Sequence, residues 1–300
     1  MKTSHTYVYL ILFLAMTQTV VAKNQYEKEV DVSRFNFSDS TSLTQVTSAR
    51  LTYYLESIQF GNFPYAEAAF VQRESYLSGQ GTYQIRDYSL DSLVSKRGVI
   101  GGAFAPKNLP MVLIGNYQNT ISDGNINDLQ LDYESEDFYG ETIFYIAPTT
   151  AISANFLYAF TDRFEDDLLT DQYEYHEAGL RFKHLTAVNS SQFISLNTRL
   201  FAERAVTRSI TFQEELTVHT FTGAIDLKYY FSKGFSINIG LQKDRVRNEE
   251  NEGGWLRSME LSYFYQNTTN IIFEINEYKG DDGNANWDYD AVAFRLQHRF

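Results

Sequence analysis

Cysteine is missing from all 300 residues of this chain. That excludes a disulfide framework, and it excludes lipid attachment through a cysteine behind an export signal. Proline- and serine-rich linkers are missing too, so nothing in the composition divides the chain into separate domains. Tryptophan is scarce, at two residues, whereas tyrosine (22) and phenylalanine (23) are abundant. Beyond the first two dozen residues no apolar run approaches the roughly 20 residues that a spanning helix needs. Basic residues are the minority charge, 25 Lys and Arg against 38 Asp and Glu, and the formal net charge of −13 argues against a nucleic-acid partner. Catalytic constellations are also absent. His176, His184, His219 and His298 lack metal-ligand spacing, no serine sits in a GxSxG elbow, and no glycine-rich phosphate loop occurs. The sequence supports no enzyme and implies no cofactor or metal.

What is present begins with an export leader. Lys2 and His5 form a polar start, Val8 to Met16 an apolar core, and Val20-Val21-Ala22 a small-residue cleavage site. The reading is a leader over 1–22 and a single domain over 23–300. The other end of the chain is equally informative. Val292, Phe294, Leu296 and Phe300 fall on one face of the last segment, opposite Ala291, Arg295, Gln297 and Arg299. Such alternation fits a strand with lipid on one side and water on the other.

A hydrophobic period of two runs through almost the whole of 23–300. In one segment Ile225, Leu227, Tyr229 and Phe231 oppose Asp226 and Lys228; in the next, Phe235, Ile237, Ile239 and Leu241 oppose Ser236, Asn238, Gln242 and Asp244. Tight turns are expected at 61–64, 106–108, 148–150, 189–191, 232–234 and 267–270. Longer, charged connections are expected at 38–44, 78–95, 120–137, 163–172, 205–214, 248–253 and 280–287. Short turns alternating with long loops are the two-ended pattern of an outer-membrane barrel, and the count is about fourteen antiparallel up-and-down strands. A secreted sandwich or propeller would also alternate. Segments as long as Phe235–Val246 exceed ordinary globular strands of about five or six residues, and favour the barrel. The negative mean hydropathy of −0.34 does not oppose it, because polar lumen faces offset lipid faces in any average.

Charges on the polar faces then need water or a partner. Arg181, Lys183, Arg199, Asp226, Lys228, Asp244, Glu260, Glu274, Arg295 and Arg299 are the expected pore-lining residues of a water-filled passage. A lumen filled by paired charges, with nothing conducted, is the alternative. The segment Ile121 to Phe138 carries Asp123, Asp128, Asp132, Glu134, Glu136 and Asp137. Folded inward it would be an acidic, cation-favouring constriction loop; left outside it would be a solvated loop. Surface carboxylates suit divalent-cation bridging to anionic lipid, so the expected partners include outer-membrane lipid and lipopolysaccharide.

On the leader, the segment Pro64-Tyr65-Ala66-Glu67-Ala68-Ala69-Phe70 and the terminal aromatic strand, the chain resembles the general bacterial porins of Gram-negative outer membranes. The resemblance implies passive diffusion of small hydrophilic solutes. It also implies that the barrel-assembly machinery recognises Val292, Phe294, Leu296 and Phe300. His298 stands where such signals usually carry Tyr or an apolar residue. The constriction motif of the larger trimeric porins is absent from 121–138, so no trimer is implied.

Overall fold

The computed structural model describes residues 25–38, 42–88, 91–126, 129–165, 168–246, 253–280 and 289–300. The expected leader, 1–22, lies outside them. Fourteen strands follow in chain order: β1 Gln25–Ser38, β2 Ser42–Gln59, β3 Tyr76–Tyr88, β4 Ser92–Phe104, β5 Met111–Ile126, β6 Leu129–Ala147, β7 Thr150–Glu165, β8 Leu168–Ala187, β9 Phe193–Ser209, β10 Glu214–Ser232, β11 Phe235–Val246, β12 Gly253–Tyr265, β13 Thr269–Gly280 and β14 Tyr289–Arg299. Each pairs with its neighbour in sequence, and β1 pairs antiparallel with β14, closing the barrel. The seam is tied at its end, where the Lys28 N–H donates to the Phe300 carbonyl at 2.9 Å and the Phe300 N–H donates back at 3.0 Å. Closure leaves no unpaired edge, which hydrocarbon requires.

Alternation then sets side-chain direction along each ladder, reset at irregularities such as Tyr26/Lys28 and Arg163/Phe164. Leu51, Leu77, Ile100, Phe156, Leu180, Leu200, Leu227, Ile239, Phe273 and Phe294 stand exposed on the outer wall. An apolar belt of this extent belongs in lipid.

The wall is uneven. β6 and β8 have 19 and 20 residues, β13 and β14 only 12 and 11. At about 3.3 Å per residue and a tilt near 40°, β8 rises to about 50 Å, twice the ~25 Å apolar band. This corrects several expected loops. Most of 78–95 and 120–137 is paired strand, because the hairpins continue their ladders beyond the membrane.

The tight turn expected at 61–64 is also corrected. Residues 60–75, between β2 and β3, form a segment that turns into the barrel. It carries a 3-10 turn, Tyr65–Glu67, and a short helix α1, Ala68–Gln72. Arg73 ends the helix in the left-handed region (φ 57°), and its N–H donates to the Ala69 carbonyl at 3.1 Å. Three apolar clusters sit at this end of the lumen, and the segment contributes to each. Phe60 and Ala68 join Tyr26, Tyr54 and Ile58; Phe70 packs on Tyr145 and Ala151; Phe63, Ala66 and Val71 pack on Leu185, Phe193 and Tyr230. Fully burying a side chain of Ile or Phe size contributes about 1.5–3 kcal/mol. The short-turn end is therefore a packed core.

Candidate functional site

The site is the lumen, and it has two levels. At the short-turn end the inserted segment crosses it. The Glu67 carboxylate is buried there, accepting from the Lys183 ammonium at 2.6 Å (β8) and from the Tyr230 hydroxyl at 2.6 Å (β10). Burial alone would raise the Glu67 carboxyl, but the Lys183 charge and both hydrogen bonds outweigh it and hold it below the ordinary carboxylate range. On the opposite wall, Arg299 donates from Nε to Glu29 Oε2 at 2.8 Å and from a terminal nitrogen to the Tyr65 carbonyl at 2.7 Å. Its guanidinium is sandwiched between Tyr26 (4.7 Å) and Phe264 (4.9 Å). The Tyr145 hydroxyl donates to the Phe70 carbonyl at 2.8 Å, and Lys233 to the Gly61 carbonyl at 3.0 Å. Strands from across the barrel thus hold one plug.

Above the plug the wall is polar. Lys228 pairs with Glu260 at 2.7 Å, Arg199 with Asp226 at 3.2 Å, and Arg295 with Asp31 at 3.7 Å. Arg181 donates to Asn197 at 2.6 Å, and Asn197 to Asp226 at 3.0 Å. The carboxylates outlast the cations. Glu177 accepts from Asn155 (2.8 Å) and Tyr175 (3.3 Å), and Asp244 from Thr222 (2.9 Å) and Gln242 (3.0 Å). Among the described residues neither has an ion-pair partner, and Glu203 lies within Coulombic reach of both. Asp137, Glu141 and Glu274 are likewise held by neutral donors.

All ten residues expected to line a passage face the interior: Arg181, Lys183, Arg199, Asp226, Lys228, Asp244, Glu260, Glu274, Arg295 and Arg299. Two of them do not border open water. Lys183 is claimed by Glu67 of the plug, and Arg299 by Glu29 of β1 together with the Tyr65 carbonyl of the plug. The acidic segment 121–138 is no constriction loop. Strand alternation turns Asp123, Asp132, Glu134 and Glu136 outward on the tall β5–β6 hairpin; Asp137 alone of the described acids points in, and Asp128 lies outside the described residues. The segment Pro64 to Phe70, on which the resemblance partly rests, is helical plug. Sequence reasoning missed Glu67, Glu29, Glu177 and Glu203. The last two share the parity of Arg181 and Arg199, so the same alternation could have found them. Val292, Phe294, Leu296 and Phe300 keep one parity, with Val292 and Phe294 exposed on the outer wall. His184 and His298, also outward, bond to Thr150 (2.8 Å) and Thr269 (2.9 Å).

No family model and no curated protein matches the sequence. Solved structures do match the fold. The Acinetobacter baumannii outer membrane protein Omp33 aligns at TM-score 0.51 and 15% identity, over 92% of this chain and 99% of that one. The CymD monoaromatic hydrocarbon channel aligns at 0.60 and 8%, over 93% and 90%. A Pseudomonas aeruginosa FadL homologue aligns at 0.52 and 8%, over 91% and 88%. What these structures share with the chain is the fold, a closed antiparallel barrel of the outer-membrane type with an apolar outer belt.

Proposed function

We propose that this barrel is a porin, not an enzyme. It passes small hydrophilic solutes and ions, prefers cations, and is held shut at its short-turn end by residues 60–75. The observation that carries the reading is the contrast along one lumen. An acid-lined, water-accessible upper chamber ends on a plug held by the buried Glu67–Lys183 pair and by the Arg299 bond to the Tyr65 carbonyl. Carboxylates without cationic partners repel anions and draw cations inward, so a field of this sign filters by charge without any binding site. The mechanism is diffusion through water once the plug yields. By the general rule for such barrels the short turns face the periplasm, so the plug closes that side.

The plug also favours a second reading, a structural barrel whose lumen stays occluded. One experiment separates the two: planar-bilayer recording of the purified barrel in a salt gradient, beside a variant whose residues 62–73 are replaced by a short turn. A porin shows cation-selective steps in the native chain that become larger and more frequent in the variant. Silence from both would overturn the channel reading. Steps from the variant alone, at every voltage and pH tried, would favour occlusion.

A further inference from the structure

On the outer wall, well away from the lumen, strand register places Tyr158, His176, Arg204 and His219 side by side on β7, β8, β9 and β10. The rung below, toward the membrane centre, runs Phe156, Ala178, Ala202 and Phe221. Two alanines between two phenylalanines leave a groove of about 370 Å³ in the barrel surface, open outward and roofed by the polar rung. We propose that this groove binds one phosphorylated acyl-saccharide lipid of the outer leaflet, a lipopolysaccharide molecule. Its acyl chain would lie over Ala178 and Ala202, and its phosphate against Arg204 and the two histidines.

Charge and depth both point to that occupant. Arg204 is exposed and has no ion-pair partner among the described residues, in a chain whose net charge is −13. The carboxylate that could have taken it, Glu174, is held by Arg208 at 2.6 Å, with Arg208 also reaching Glu215 at 3.1 Å. His176 lies 4.0 Å from Glu174 through Nε2 and packs on the Tyr158 ring at 5.0 Å between centroids. The rung lies on the long-hairpin side of the Phe156–Phe221 rung, the side on which the general architecture of such barrels puts the outer-leaflet headgroups. A guanidinium matches phosphate with paired donors, and imidazoles beside it add further donors. A similar groove over Ala49 and Gly81 has Lys96 at its rim, but that ammonium already lies 3.8 Å from Asp123. An apolar floor beneath an exposed guanidinium suits an amphiphile and gives a free anion nothing to bury.

The test is native mass spectrometry of the full chain in nonionic detergent, titrated with diphosphoryl lipid A. The native protein should take up one molecule. The double variant Arg204→Ala/His219→Ala should bind about tenfold more weakly, as expected for losing charge-assisted contacts. Arg204→Lys, which keeps the charge and loses the paired donors, should bind more tightly than the double variant and more weakly than the native protein. Ala202→Phe, which fills the floor and leaves Arg204 and both histidines in place, should weaken it too. Dephosphorylated lipid A should bind poorly, and millimolar inorganic phosphate should not compete. Heat-modifiable mobility on gels certifies that each variant is a folded barrel. Equal binding by native and double-variant protein would overturn the site. Competition by phosphate would overturn the lipid assignment, and a dimer lost on Arg204→Ala would assign the groove to a second copy instead.

Discussion

At the short-turn end of the lumen Glu29, Glu67 and Arg299 are 4–5% exposed, and each carboxylate meets a cation. Halfway up the same barrel Glu177, Glu203 and Asp244 are only partly buried and meet neutral donors. The difference follows from water. Where the plug excludes it, an unpaired charge would cost several kcal/mol, so every such group is matched. Where the chamber stays wet, solvent satisfies the surplus, and the surplus negative charge can act on whatever enters.

The comparison can be broken most sharply at the plug. Replacing 62–73 by a two-residue Asn-Gly turn should leave a heat-modifiable barrel and raise single-channel conductance severalfold, read in planar bilayers. Next in size is Glu67→Gln, which strands the Lys183 ammonium in a dry site. Loss of one partner of a buried pair costs about 3–5 kcal/mol. Noisy, frequent openings and faster proteolysis within 60–75 should follow, while a silent, protease-resistant variant would mean apolar packing alone holds the segment.

Acid should mimic that substitution. Because the Glu67 carboxyl is held below its ordinary range, its contribution to docking is complete above the usual pKa of about 4.3. That contribution disappears as pH falls through the lower, folded-state value. Open probability should therefore rise only below about pH 4 in the native chain, and should be flat with pH in Glu67→Gln. Smaller still is the effect in the wet chamber. Glu177→Gln with Glu203→Gln should move the reversal potential in a salt gradient toward zero, without changing the frequency of openings. The smallest effect on conductance belongs to Phe300→Ala, outside the lumen altogether. The yield of folded barrel in the outer membrane should fall, and the channels that do assemble should conduct like the native ones.

Much of this architecture was legible in the residue order because a strand's side chains alternate rigidly. Once Ile225, Leu227 and Tyr229 face lipid, Asp226 and Lys228 must face inward, whatever the rest of the chain does. The segment 121–138 misled for a related reason. Its acids resemble a loop, yet Glu134 and Glu136 alternate with Tyr133 and Ser135, and outward carboxylates on a hairpin standing above the membrane are simply solvated. The plug gave no comparable signal. Phe60 to Ser75 has neither a period of two nor enough length for a helical one, so it reads as an apolar connection.

By itself, then, the sequence determined the barrel, a strand count of about fourteen and the inward parity of its charges, because alternation depends on neighbours one or two residues away. Only the closed tertiary structure decided which charges meet water. Glu67 finds Lys183 and Tyr230 from 116 and 163 residues away, and Arg299 finds Glu29 from 270. Those distances collapse when β1 meets β14 and the wall surrounds the inserted segment. A contact of that kind has no local period to announce it.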